Sequence, residues 1–264
     1  MKMASKMKMA PKIKKLPFDI ELPNIPESID TKNIQQRILR DLQYQPNLSF
    51  NRLWNKQGES NTFAYHLRVL EKKGLVLKTS KGEYSLTTSG KKLVAYISEE
   101  DGSLCEFPVV AVITVIFHKN KILLTHRTKE PFYGYWGLHG GKLRSKNYIL
   151  DQARESILKE TSLSCNVSLK GLFSSKTYIN NAFAFNHQLF IIQATNPKGK
   201  LIVKTKKGVN KWFVKKDISK LHTLPNVRTL IDIASGKRFR WVEADRFQDD
   251  KGCNEMKIRS DITL

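Results

Sequence analysis

The chain predicts two domains in tandem: a small α+β unit of helices closed by a hairpin, then an α/β/α sandwich on a mixed sheet. Three observations carry that expectation. With 264 residues, 40% of them hydrophobic, the chain is long enough for two cores. Residues 28–98 show helical apolar spacing with one pair of strand-like runs near their end. From residue 108 to 235, long apolar strands alternate with two helical stripes, the mark of helices layered on a sheet. Residues 99–107, with Asp101-Gly102-Ser103, read as the hinge between them.

Residues 1–27 come before either core. Lys2, Lys6, Lys8, Lys12, Lys14 and Lys15 alternate with Met and Ala, which predicts a basic, disordered tail. Pro17, Pro23 and Pro26 then predict an extended linker. In the first domain, Ile34, Ile38 and Leu42 line one face of a helix that Pro46-Asn47 breaks. Phe50, Leu53 and Trp54 suggest a short second helix stopped near Gly58. Ser60 can cap a third, in which Phe63, Leu67 and Leu70 face inward and which Gly74 ends. Residues 75–78 and 83–87 read as a hairpin around Ser80-Lys81-Gly82, and Leu93, Val94 and Ile97 as a closing helix after Gly90.

The run Asn61-Thr62-Phe63-Ala64-Tyr65-His66-Leu67-Arg68-Val69-Leu70, then Gly74-Leu75-Val76 and Tyr84-Ser85-Leu86-Thr87, resembles the winged helix-turn-helix domains of arsenic-repressor and archaeal type. The resemblance implies that the third helix enters the major groove of double-stranded DNA. Asn61, Thr62, Tyr65 and His66 would then face bases or phosphates, and Arg68, Lys72, Lys78 and Lys81 the phosphate backbone. It also implies a homodimer reading two half-sites.

In the second domain, Val109–Phe117 and Lys121–His126 read as strands about the turn His118-Lys119-Asn120. Tyr135-Trp136-Gly137-Leu138-His139-Gly140-Gly141 is a glycine loop, and Ile149, Ala153 and Ile157 make a helical stripe from about Tyr148 to Thr161. Residues 163–173 and 185–194 read as strands, Asn196-Pro197-Lys198-Gly199 as a turn, and a last helix ends near Ile233. Residues 236–264 are polar apart from a few aromatics and carry no assigned role.

The glycine loop and helix resemble the signature of the Nudix hydrolases, in which helix glutamates hold Mg²⁺ against a diphosphate. Here the acidic positions depart from it. Asn147 stands at the first glutamate, Glu155-Ser156 at Arg-Glu, Lys159-Glu160 at Glu-Glu and Ser162 at the final glycine. Glu160 is the one residual catalytic or metal candidate, because Glu155 lies about 140° away around the helix. The cations suggest another use. Arg127, Gly140, Gly141, Lys142, Arg144 and Lys159 are the expected ligand-binding set, with Lys and Arg neutralising phosphate directly. His139 is a further candidate for ligand contact, and Trp136 a packing residue under the loop.

The formal net charge of +22 favours a polyanionic partner. Cys105, Cys165 and Cys253 form no CxxC pair, so neither a zinc site nor a disulfide framework is indicated. The longest apolar run, 109–117, is too short to span a bilayer, and a cytoplasmic protein is expected. Together the readings resemble Nudix-related transcriptional regulators with the domain order reversed: a DNA-binding module and a degenerate Nudix domain sensing a phosphorylated nucleotide or nucleotide-sugar. No cofactor is expected. The alternative is a divergent Nudix hydrolase of nucleoside diphosphate derivatives, which alone would call for Mg²⁺. A third reading is charge-driven association with nucleic acid without sequence preference.

Overall fold

The computed structural model describes residues 34–97, 107–129, 132–249 and 252–264, and of residues 252–254 the backbone alone. The tail at 1–27 and nearly all of the hinge at 99–107 lie outside the described residues. The chain divides into two compact units, one up to Glu106 and one from Phe107 to Leu264.

In the first unit, α1 (Ile34–Tyr44) buries Ile38, Leu39 and Leu42. A two-residue strand β1 (Leu48–Ser49) leads into α2 (Phe50–Trp54), which ends on Asn55 in the left-handed region, before the expected stop at Gly58. α3 (Ser60–Lys72) turns Phe63, Leu67 and Leu70 into the core. Ser60 is its first helical residue and Glu59 the N-cap, so the expected serine cap is absent. Gly74 closes the helix at φ +67°, and the Leu75 amide donates back to the Leu70 carbonyl at 3.0 Å. β2 (Val76–Lys78) and β3 (Glu83–Leu86) form the hairpin, and β1 adds to it on the far side of β3. α4 (Thr88–Val94) starts earlier than expected, because the Thr87 hydroxyl accepts from the Gly90 amide at 3.0 Å. Gly90 therefore sits inside the helix, where a Cβ would stand 2.0 Å from the Leu75 carbonyl oxygen.

The second unit is the expected sandwich, with more strands than its sequence announces. β4 (Val109–His118) and β5 (Lys121–Arg127) are joined by a turn with Lys119 left-handed. β6 (Trp136–Gly137) and β7 (His139–Lys142) carry the glycine loop, and α5 (Ile149–Thr161) follows. β8 (Ser164–Ile179) and β9 (Ala182–Lys198) form a hairpin. β8 runs past its expected end, and β9 passes both of its expected ends and runs through most of the turn expected at 196–199. The hairpin's turn residues Asn180 and Asn181 both take positive φ, which suits a two-residue hairpin turn. β10 (Lys204–Thr205), β11 (Gly208–Val214), a 3-10 turn at Lys215–Lys220 and α6 (Val227–Ser235) come next. The segment left without a role forms β12 (Arg240–Asp249) and β13 (Gly252–Thr263). The sheet order is β10-β11-β5-β4-β9-β8-β12-β13, so a domain boundary at 235 would cut through one continuous sheet. β4–β9 and β8–β12 are parallel and the other pairs antiparallel.

Strand alternation divides the core. Ala111 and Val115 of β4 pack with Phe173, Leu189, Ile191 and Val242 under α6. Val112 and Ile116 face the opposite way, toward Ala153 and Ile157 of α5.

Candidate functional site

The glycine loop is held by internal packing. At Gly140, φ is +155° and a Cβ would meet the Val112 carbonyl oxygen at 2.3 Å, so the close approach that requires glycine is to β4. Gly141 has open space around its Cβ position. His139, expected as a possible ligand contact, is instead 1% exposed and locked in place. Its Nε2 lies 3.0 Å from Asn210 Oδ1. The Asn210 amide nitrogen donates to the Glu160 carbonyl at 2.9 Å and the Ile202 carbonyl at 2.8 Å. Asn210 Oδ1 is thus left as acceptor and His139 Nε2 carries the proton. Burial holds the ring's pKa below the ordinary histidine value. One asparagine on β11 thereby ties β7, the end of α5 and the loop between β9 and β10 together. Trp136 packs, as expected, edge-on against Phe213 at 4.7 Å between ring centroids.

The exposed face of α5 is neutralised by the chain itself. Arg144 donates through Nε to Gln152 Oε1 at 3.0 Å and pairs with Glu155. Asn147, at the position of the first family glutamate, donates to the same Glu155 carboxylate at 3.1 Å. Gln152 donates to the Ser156 hydroxyl at 3.1 Å. Glu160, with 13% of its side chain exposed, pairs with Lys207. Both carboxylates of the degenerate motif therefore have cationic partners and lie on different sides of the helix. Among the described residues no group of three or more His, Cys, Asp or Glu is placed to hold a metal. This donor set does not fit Mg²⁺, which needs one or two open carboxylates in an octahedral oxygen shell.

The expected cationic cluster does not assemble as one group. Arg144 pairs with Glu155 and Gln152 and clamps the loop to α5, with more than half of its side chain exposed. Arg127 follows Leu123 on β5 at even spacing and shares the α5 side of the sheet; Lys159 is exposed on α5. Lys142 stands opposite Ala111 in the β7–β4 pair, which puts it on the α6 side. On that side lie residues the sequence reading missed: His187 of β9, within electrostatic reach of Lys142 and Arg246, and, further across the sheet, Ser175 and Thr177 of β8 and Arg246 of β12. No local motif marks them, because three strands and the unassigned C-terminal segment must meet before they are neighbours.

In the first unit, Asn61, Tyr65, Arg68 and Lys72 recur at i, i+4, i+7 and i+11, forming an exposed stripe on α3 away from its buried face. Thr62 is exposed beside it, and Tyr65 is 60% exposed. His66 departs from the expectation: it is half-buried, with Nδ1 3.1 Å from Gln35 Nε2, and serves the α1–α3 contact. Lys81 is exposed at the hairpin tip, and Lys78 lies 5.6 Å from the centre of the Tyr84 ring.

No protein-family model and no curated protein sequence matches the chain. Among solved structures it is similar to a mutator MutT protein from Bacillus halodurans, at 18% identity and a TM-score of 0.48, over 58% of this chain and 96% of that one. It is similar to a MutT NUDIX hydrolase from Burkholderia pseudomallei, at 22% identity and 0.43, over 48% and 98%. It is also similar to the NUDIX domain of Shewanella oneidensis NrtR, solved with ADP ribose, at 17% and 0.45, over 56% and 97%. At such identities the likeness bears on neither substrate nor chemistry.

Proposed function

We propose that the chain is a DNA-binding transcriptional regulator. In this reading residues 34–97 are a winged helix-turn-helix module. Residues 107–264 are a Nudix-type domain that binds a phosphorylated nucleotide or nucleotide-sugar without cleaving it. The observation that carries the second half is that both α5 carboxylates of the motif have cationic partners: Glu155 is paired with Arg144, and Glu160 with Lys207. The first half is supported by the exposed stripe Asn61, Tyr65, Arg68 and Lys72 on α3, with Thr62 beside it and Lys78 and Lys81 on the hairpin. His66 is withdrawn from the contact set and Arg144 from the ligand set. The protein acts in the cytoplasm as a homodimer on two half-sites. Among the described residues no helix is long and apolar enough to cross a membrane.

Hydrolysis assays with Mg²⁺ or Mn²⁺ across dinucleotides and nucleoside diphosphate sugars test the reading. The expected result is turnover at background, unchanged by Glu160→Gln. Metal-dependent turnover abolished by that substitution establishes the divergent hydrolase instead. A map of the protein on its own chromosome tests the regulator half, which predicts discrete sites.

A further inference from the structure

The sheet face under α6 is apolar at Phe173, Leu189 and Val242, and it turns polar further along the same strands. Strand register aligns Val109, His187, Ser175 and Ala244 in one row, and Phe185, Thr177, Arg246 and Met256 in the next. Ser175 and Thr177 are each 1% exposed and Arg246 is 4% exposed. The hydroxyls of Ser175 and Thr177 and the Nδ1 of His187 are buried without a hydrogen-bond partner. A buried polar group left so costs free energy unless a bound molecule completes its shell.

Among the described residues, both charges that act on His187 are positive. Burial, followed by the positive charges of Arg246 and Lys142, holds His187 down at about 4. Asp245, next to Arg246 in sequence, points to the other face of the sheet, where Arg259 donates to it at 2.6 Å. The Phe132 ring lies 5.9 Å from the Arg246 guanidinium, on a residue held at φ +70°. An aromatic side chain rarely adopts that backbone conformation.

We propose that Ser175, Thr177 and His187, with Arg246 and Lys142 supplying the charge, form a binding site for a small oxyanion, the phosphate group of a ligand. The site lies on the sheet face opposite α5, and β12 of the C-terminal hairpin completes it. The hydroxyls donate to the anion oxygens while the two cations balance its charge. This rests on the reading of the second unit as a binder of phosphate compounds and moves the phosphate away from the family motif.

The test uses the full chain and its Ser175→Ala/Thr177→Val double variant. Thermal midpoints are followed as inorganic phosphate or, separately, ADP ribose is added, with chloride at matched ionic strength as control. Phosphate stabilises the wild type saturably, and the double variant keeps its anion-free midpoint but needs at least tenfold more phosphate. Equal responses of the two proteins overturn the site. So does a double variant less stable without any anion, since the hydroxyls then serve the fold. If ADP ribose stabilises both proteins alike and inorganic phosphate acts no better than chloride, the ligand reading stands and this site falls. If neither compound acts on the wild type, both fall.

Discussion

Asn210 decides more of the candidate site than any residue of the glycine loop. Its side chain satisfies the Glu160 and Ile202 carbonyls and His139 Nε2 within a buried space. Asn210→Leu leaves three polar groups unmatched and is expected to cost about 3 kcal/mol in urea unfolding. A cost within error of zero would show that the node is dispensable. Two histidines set a pH dependence. Burial lowers the pKa of both His139 and His187 from 6.5, the latter to about 4. Each ring takes its proton more readily in the unfolded chain. Stability is therefore full above pH 6.5 and is lost as pH falls from there toward 4. His187→Asn, in a buffer without phosphate, is expected to flatten that part of the midpoint-versus-pH curve relative to wild type; parallel curves would refute the assignment.

At the scale of elements, α3 and the C-terminal hairpin carry the testable consequences. On α3, Lys72→Ala should weaken DNA binding evenly across sequences and reduce the salt slope by about 1. Tyr65→Ala, at the exposed stripe's centre, should instead narrow the gap between a selected site and random DNA. Both are read by titration at several salt concentrations; no change in either slope or gap would remove α3 from the interface. The hairpin is part of the core: Val242 is 0% exposed and packs beneath α6. Val242→Ala is expected to cost about 2 kcal/mol, read in the unfolding midpoint. Truncation after Gly236 should leave an insoluble chain, because β8 then presents an unpaired edge and Phe173 loses the cover of Val242.

Across the whole molecule, the net charge of +22 sets a background that any specific contact must exceed. Random DNA is expected to compete at low salt and to lose steeply as salt rises, while a selected site keeps its advantage. Competition by random DNA equal to that of any selected site, at all salt concentrations, would leave charge as the whole interaction.

The sequence alone determined what depends on near neighbours. Apolar spacing at Ile38–Leu42 and Phe63–Leu70 placed two helices, the Gly74 turn ended one, and the run from Val109 placed a central strand. These signals are short-range because helix and strand periodicities repeat within a few residues. The departure of Asn147, Ser156 and Lys159 from a metal-holding pattern was also legible in order alone. Only the tertiary structure decided which charges meet. Strand pairing puts Lys142 on the α6 side of the sheet, whereas Arg144, two residues on and past the end of β7, is held by Glu155 and Gln152 of α5. It brings Lys207 to Glu160, Asn210 to His139, and β12 to a sheet that the text of residues 236–264 does not announce. Those contacts span tens of residues, and their partners are fixed by sheet register, which no local pattern encodes.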